Sequence, residues 1–119
     1  MVSADPPPAP SGPAPSFQER FAALSRDWRA QLPARLDTLQ VLLQACRHAP
    51  EDSGGLQEFH RQAHMLAGSA GTFGLQALGE HARALDLELQ GVMATPTRQA
   101  TDFEDAARLL QALLAAPRE

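Results

Sequence analysis

The sequence predicts an all-α protein, an antiparallel up-and-down four-helix bundle with an additional N-terminal helix or helix extension. Three observations support this fold class. Leucine, alanine, arginine, glutamate and glutamine dominate after Pro15, and these residues favour helices. Apolar residues recur three and four positions apart in each predicted segment, and strand-like alternation is absent. The connections between segments are short, which is typical of antiparallel neighbours.

The 119 residues fit one domain preceded by a proline-rich tail. Residues 1–15 hold six of the ten prolines and almost no bulky side chain. This composition is typical of a disordered, polyproline-like segment. We therefore expect a disordered tail over residues 1–15 and a helical bundle over residues 16–116.

The first helical segment begins at Ser16, which precedes Glu19 in the order of a capping box. Pro33 interrupts the segment, because proline lacks a backbone donor and its ring clashes with the preceding turn. The pattern leaves open two helices, over about 16–31 and 32–48, or one long helix kinked at Pro33. In either case one apolar stripe continues in phase through Phe17, Phe21, Leu24, Trp28, Leu32, Leu36, Leu39, Leu43 and Cys46.

The next two segments form a predicted antiparallel hairpin. A helix over about 55–70 is expected to end at Gly71 in the left-handed conformation. A short turn through Phe73 leads to a helix over about 74–91. After a second loop, Thr95 or Thr101 begins the last helix. The apolar stripe of that helix is Phe103, Ala107, Leu110 and Leu114.

Composition argues against several classes of function. The formal net charge is −4 and arginines are interspersed with acids, so no basic stripe indicates nucleic acid. No apolar run approaches the roughly 20 residues that span a bilayer, and the N-terminus lacks a signal segment. We therefore expect a cytoplasmic monomer. Cys46 is the only cysteine and lies on the apolar stripe, which predicts a small core residue.

The chemically most informative segment runs from His64 to Gly74. His64 borders the buried stripe of its helix, on a face that also carries Gln57, His60, Arg61 and Gly68. A glycine inside a helix costs roughly 1 kcal/mol relative to alanine. Gly68 therefore indicates either close helix–helix packing or a partner that approaches the backbone beside His64.

This segment resembles the histidine-containing phosphotransfer (HPt) domain family. The family pattern contains a histidine, an apolar residue, a glycine, small residues and a turn in a constant register. The residues that carry the resemblance are His64, Leu66, Gly68, Ser69, Ala70 and Gly74. One position departs from the pattern, because the family usually has a lysine three residues after the histidine and this chain has Ala67.

The resemblance implies that His64 is the phosphoacceptor. It would exchange a phosphoryl group with an aspartate of a response-regulator receiver domain in a bacterial two-component phosphorelay, and a hybrid histidine kinase is a second implied partner. The chain would be a phosphoryl carrier rather than a turnover enzyme. It would bind no cofactor itself, and Mg²⁺ is expected on the receiver.

The resemblance also implies roles for other residues. The family often places an acid or amide of the following helix against the histidine, and Asp86 holds that position. The lean of side chains toward the helix N-terminus favours Asp86 over Glu80, since the two helices are antiparallel. Arg61 and Arg83 are the nearest cations to replace the missing lysine. The residues expected to dock a receiver are Gln57, His60, Ala67, Gly68 and Gly71.

Two other functions remain to be weighed. The missing lysine keeps open a non-phosphorylated adaptor that binds or sequesters a receiver through the same helical face. His60 and His64 are four residues apart, which also suits two imidazoles on one metal ion. The sequence shows no neighbouring group that completes such a set, and we expect no metal site.

Overall fold

A computed structural model describes residues 14–118, and within that range all regular secondary structure is helical. The all-α prediction is confirmed for these residues. The tail predicted over residues 1–15 lies outside the described residues, except for Ala14 and Pro15. The helices are α1 (Phe17–His48), α2 (Ser53–Thr72), α3 (Gln76–Met93) and α4 (Glu104–Leu114), with a 3₁₀ turn at Ala100–Phe103 before α4.

α1 is a single helix of 32 residues that continues through Pro33, so the alternative of one long helix is correct. Its N-terminus is capped as predicted, because the Ser16 side chain accepts a hydrogen bond from the Glu19 N–H at 3.0 Å. The apolar stripe is buried only from Trp28 onward, and Phe17 is 74% exposed. Trp28 lies level with the α2–α3 turn, so the first turns of α1 extend past the end of the hairpin.

α2 and α3 form the predicted antiparallel hairpin, but the prediction for Gly71 is wrong. Gly71 lies inside α2, and Gly74 is the left-handed residue, with a φ of 81°. The Gly74 N–H donates to the Gly71 carbonyl at 3.1 Å and the Leu75 N–H to the Ala70 carbonyl at 2.9 Å. This pair of bonds is a Schellman motif, which closes the helix one turn later than expected.

Small residues allow α2 and α3 to approach each other closely. A Cβ added at Gly79 of α3 would lie 3.4 Å from the Gly71 nitrogen and 3.5 Å from the Ala70 Cβ. Arg29 of α1 also secures the end of the hairpin, because its Nη2 donates to the Phe73 carbonyl at 2.9 Å. The Phe73 ring lies between Phe21 and Trp28, at centroid distances of 5.5 and 5.3 Å. The contacts of Arg29, Phe21 and Trp28 hold the turn of the hairpin against α1.

α4 packs against α3 and closes the core, with a phase that differs from the prediction. Ala106 and Leu113 are buried, whereas Ala107 and Leu114 lie half-buried beside them. The 3₁₀ turn begins at Ala100, so neither threonine starts the helix. Because a 3₁₀ turn contains 3.0 rather than 3.6 residues, it rotates the buried face of the helix that follows.

The largest fully buried side chains come from all four helices and the turns between them. They are Phe59, Phe103, Leu39, Leu56, Leu75, Leu78, Leu85, Leu89, Leu110 and Leu113. Cys46 is buried as predicted, and burial raises the pKa of its thiol. None of the helices between residues 14 and 118 combines the length and the apolar character that crossing a bilayer requires.

Replacing Gly74 by alanine should lower the free energy of unfolding by about 1 kcal/mol, because a side chain in the left-handed region costs about 1–2 kcal/mol. Gly91 of α3 is the matched control, since an added Cβ there meets no atom of residues 14–118 within 4 Å. Alanine at position 91 should raise the free energy of unfolding by up to about 1 kcal/mol. Urea denaturation followed by circular dichroism measures both, and equal effects would contradict a left-handed turn at Gly74.

Candidate functional site

Two histidines of α2 converge on one carboxylate of α3. His64 Nδ1 lies 2.9 Å from Asp86 Oδ2, and His60 Nε2 lies 2.6 Å from Asp86 Oδ1. Gln90, one turn further along α3, donates from its amide to Asp86 Oδ1 at 3.2 Å. The histidines share one helix face because they are four residues apart, and their ring centroids are 5.9 Å apart. The carboxylate therefore has a partner on both of its oxygens.

The three side chains differ strongly in exposure. Asp86 is buried, whereas the side chain of His64 is 70% exposed and that of His60 is 24% exposed. The hydrogen bond to Asp86 engages Nδ1 of the His64 ring. Nε2 is therefore the His64 nitrogen that is left for a reaction partner, on a ring that solvent and another protein can reach.

The hydrogen bonds to Asp86 keep it ionised. Burial on its own raises the pKa of this carboxyl, but the contacts from His64, Gln90 and His60 outweigh the effect of burial and lower the pKa. At neutral pH the carboxylate is therefore an acceptor only, and the neutral His64 ring places its proton on Nδ1. This tautomer leaves the lone pair of the ring on Nε2.

The His60 contact differs in kind from the His64 contact. His60 Nε2 is buried, and it lacks an aligned hydrogen bond to any of residues 14–118 although Asp86 Oδ1 is 2.6 Å away. The contact is therefore short but poorly aligned for a hydrogen bond.

The two arginines predicted near the site have different surroundings. Arg61 donates to the Glu58 carboxylate at 2.6 and 2.8 Å, and its Nη1 lies 3.1 Å from Met65 Sδ. Hydrogen bonds from Arg61 and Gln62 lower the pKa of Glu58 to about 2, so the pair with Arg61 persists at neutral pH. The guanidinium of Arg61 is thus engaged by an acid of its own helix.

Arg83 of α3 lies beside the position of the missing lysine. Together with Glu80 and Gln76 it lines a shallow groove between α2 and α3, whose other walls are formed by Ala67, Gly71 and Gly79. The groove is open because three of its residues carry no side chain beyond Cβ. Arg83 therefore lines the same groove as position 67, and Arg61 is not among the residues that line it.

The helix face around His64 is largely exposed. We call it the His64 face, and it comprises His64 with Gln57, His60, Ala67, Gly68 and Gly71. All lie on α2, with His60 and Ala67 half-buried and the others exposed. A Cβ added at Gly68 would meet no atom within 4 Å in the described part of the chain. Packing of α2 against the other helices therefore does not account for this glycine.

Two contributors to the site were not identified in the sequence. Gln90 was recognisable in principle, since it lies four residues after Asp86 on the same helix face. The close approach of Gly79 to α2 could not be predicted, because the sequence does not show which glycine faces the neighbouring helix. Glu80, the rival to Asp86, lines the groove beside Arg83.

Comparison with known proteins assigns a family to the chain. The family model described as Hpt domain matches residues 23–118, which include most of α1 and all of α2, α3 and α4. No curated protein and no solved structure matches the chain.

Asp86→Ala should shift the neutral His64 ring from the Nδ1–H tautomer toward the Nε2–H tautomer, because it removes the acceptor that holds the proton on Nδ1. Long-range ¹H–¹⁵N correlation spectra of the histidine rings report the tautomer directly. Glu80→Ala is the control and should leave it unchanged. A His64 ring that carries its proton on Nε2 in the unmodified protein would show that Asp86 does not direct the ring.

Proposed function

Because the chain belongs to the Hpt domain family, we propose that His64 is its phosphoacceptor and that Nε2 of the ring bonds to phosphorus. Members of this family are phosphoryl carriers in phosphorelays and interact with response-regulator receiver domains. The observation that carries the assignment to His64 is its hydrogen bond to a buried, ionised Asp86. This contact orients an exposed ring and leaves the lone pair on Nε2 available to a partner.

The proposed step moves a phosphoryl group from an aspartyl phosphate of the receiver to His64. The Nε2 lone pair attacks phosphorus, the P–N bond forms, and the P–O bond to the aspartyl carboxylate breaks. The carboxylate leaves with the bonding electrons. The proton on Nδ1 stays in place, so the ring becomes a phosphorylated imidazolium whose positive charge faces the Asp86 carboxylate. The reverse step returns the phosphoryl group without any net proton transfer.

Asp86 acts in this proposal as a positioning residue. It does not touch the phosphoryl group, but it maintains the reactive tautomer and opposes the charge that develops on the ring. Gln90 holds the carboxylate in turn. Mg²⁺ on the receiver is expected to neutralise the phosphoryl oxygens during transfer.

Arg83 is the proposed substitute for the missing lysine. Its planar guanidinium can donate two parallel hydrogen bonds to phosphoryl oxygens, whereas a lysine ammonium acts on them as a point charge. The groove floored by Ala67 and Gly71 gives it a path along α2 toward His64. Arg61 is a weaker candidate, because Glu58 already balances its charge.

The His64 face is the proposed docking surface for the receiver. Gly68 is exposed one turn after His64 and has open space above it. A receiver that carries its phosphoryl group in a recessed site must bring its surrounding loops close to α2. Small residues beside the histidine permit this approach, which explains why the helix tolerates the cost of a glycine there.

His64→Gln should abolish phosphoryl uptake while leaving the helical circular dichroism spectrum unchanged, because the variant lacks the nucleophile. The measurement is acid-labile, alkali-stable label on the chain after mixing with a phosphorylated receiver domain. His48→Gln, at the exposed end of α1, is the matched control and should keep full labelling. Full labelling of the His64→Gln protein would refute the assignment. Receiver binding without any uptake by the unmodified chain would identify it as an adaptor.

Arg83→Gln should slow phosphoryl uptake by about fivefold, since a charge-assisted contact at an exposed site contributes about 1 kcal/mol. Arg61→Gln should change the rate by less than about twofold, because its partner is Glu58. Adding Ala67→Lys to the Arg83→Gln protein should restore uptake, because the lysine reaches the same groove. Rapid-quench measurement of the labelled chain gives the rates. A larger loss for Arg61→Gln than for Arg83→Gln would reverse the assignment of the two arginines.

A further inference from the structure

We propose that His60, His64 and Asp86 form a binding site for a divalent transition-metal cation such as Zn²⁺, and that the bound cation prevents His64 from accepting a phosphoryl group. The second half of this statement rests on the proposed function of His64. The first half concerns metal binding alone and stands on the geometry of the three side chains.

The three side chains supply a set of ligand atoms that suits Zn²⁺. Two imidazole nitrogens and one carboxylate oxygen lie within 4.8 Å of one another. Zinc binds histidine nitrogen and carboxylate oxygen at about 2.0–2.2 Å, which in a tetrahedral site places ligand atoms roughly 3.3 Å apart. Each nitrogen–oxygen contact here is within about 1 Å of that spacing. Small side-chain rotations therefore convert the cluster into three ligands with a fourth position open to water.

His60 provides the second argument. Its Nε2 is buried, lies 2.6 Å from an Asp86 oxygen and has no aligned hydrogen bond among the described residues. An imidazole lone pair and a carboxylate oxygen repel each other at this distance unless a proton or a cation lies between them. A proton on His60 Nε2 meets that requirement in the metal-free protein, and a metal ion bound by His60, His64 and Asp86 would take its place. His60 is otherwise an unexplained second histidine on a carboxylate that His64 already uses.

Gln90 orients the Asp86 carboxylate, in the way that hydrogen-bonding neighbours orient the ligands of metal sites. It donates to Asp86 Oδ1 and restricts rotation of the carboxyl group. The ligands also come from α2 and α3, two packed helices, rather than from loops. Between residues 14 and 118, no other group of three or more histidine, cysteine, aspartate and glutamate side chains converges in this way.

The sequence analysis placed Asp86, 22 residues further along the chain, against His64 alone and did not join it to His60. The expectation of no metal site was based on the absence of a neighbouring acid. The hairpin supplies that acid, since it places α3 against the His60–His64 edge of α2.

Metal binding and phosphoryl acceptance exclude each other chemically. A neutral imidazole has one lone-pair nitrogen and one N–H. A cation on His64 Nδ1 takes the lone pair at that nitrogen, so the ring proton moves to Nε2. Nε2 then carries a hydrogen instead of a lone pair and cannot attack phosphorus. Asp86 also becomes a metal ligand and no longer stabilises the charge of a phosphorylated ring.

Calorimetric titration of the full chain with Zn²⁺ tests the site without any phosphoryl chemistry. We expect one Zn²⁺ per chain. His60→Gln should weaken Zn²⁺ binding by at least about tenfold, because losing a residue that only hydrogen-bonds a metal ligand already lowers metal affinity by about 10–100-fold. His81→Gln, a half-buried histidine of α3 outside the cluster, is the matched control and should bind as the unmodified chain does. Equal affinity of the His60→Gln chain would overturn the site.

Histidine ¹⁵N spectra of the unmodified chain provide a test that depends on no variant. Added Zn²⁺ should move the His64 ring proton from Nδ1 to Nε2 and shift the ring nitrogens of His60. Spectra of these two rings that do not change with Zn²⁺ would also overturn the site.

Phosphoryl uptake with and without Zn²⁺ tests the inhibition. Zn²⁺ should suppress uptake by the unmodified chain, and the suppression should be relieved in the His60→Gln chain mixed with the same receiver. Equal suppression in both chains would place the effect of Zn²⁺ on the receiver and refute the inhibition. If the unmodified chain binds Zn²⁺ but never takes up phosphate, the metal site is upheld and His64 is rejected as the phosphoacceptor. The two proposals can therefore fail independently of each other.

Discussion

The hydrogen bond between Asp86 and His64 connects the interior of the bundle to its exposed face. A buried carboxylate is costly unless its oxygens are engaged, and here both oxygens have partners on α2 or α3. The lowered pKa of Asp86 shows that these contacts outweigh the effect of burial. The same contacts determine the chemistry, because an ionised Asp86 accepts the Nδ1 proton of His64. One interaction therefore satisfies a buried charge and selects the reactive nitrogen of an exposed ring.

The rest of the hairpin keeps these two residues opposite each other. The Schellman motif at Gly74 sets the point from which α3 starts, and Gly79 allows α3 to lie close against α2. Arg29 and Trp28 of α1 hold the turn from outside, through the Phe73 carbonyl and ring. A shift of α3 by one residue would rotate Asp86 away from the His64 face by roughly 100°. The fold therefore serves the site mainly by fixing register.

The sequence predicted those features that depend on the periodicity of apolar residues and on the position of a residue along its helix. The helices and the hairpin follow from spacings of three and four residues. The pairing of His64 with Asp86 was implied by the family resemblance, and the lean of side chains favoured Asp86 over Glu80. Features for which two residues were almost equally suitable could not be predicted. Gly71 and Gly74 can each adopt the left-handed conformation, and only the hydrogen bonds of the folded turn distinguish them. Arg61 and Arg83 were equal candidates for the phosphoryl charge, because the engagement of Arg61 by Glu58 depends on side-chain conformation.

The central claim is that Asp86 directs phosphorylation to Nε2 of His64. Phosphorus–nitrogen correlation by ³¹P and ¹⁵N NMR of the phosphorylated, ¹⁵N-histidine-labelled chain tests this claim most directly, because it identifies the bonded nitrogen. The expected result is one phosphohistidine, at His64, with phosphorus coupled to Nε2 and a proton on Nδ1. Phosphorus coupled to Nδ1 of His64, or to another histidine, would contradict the role of Asp86.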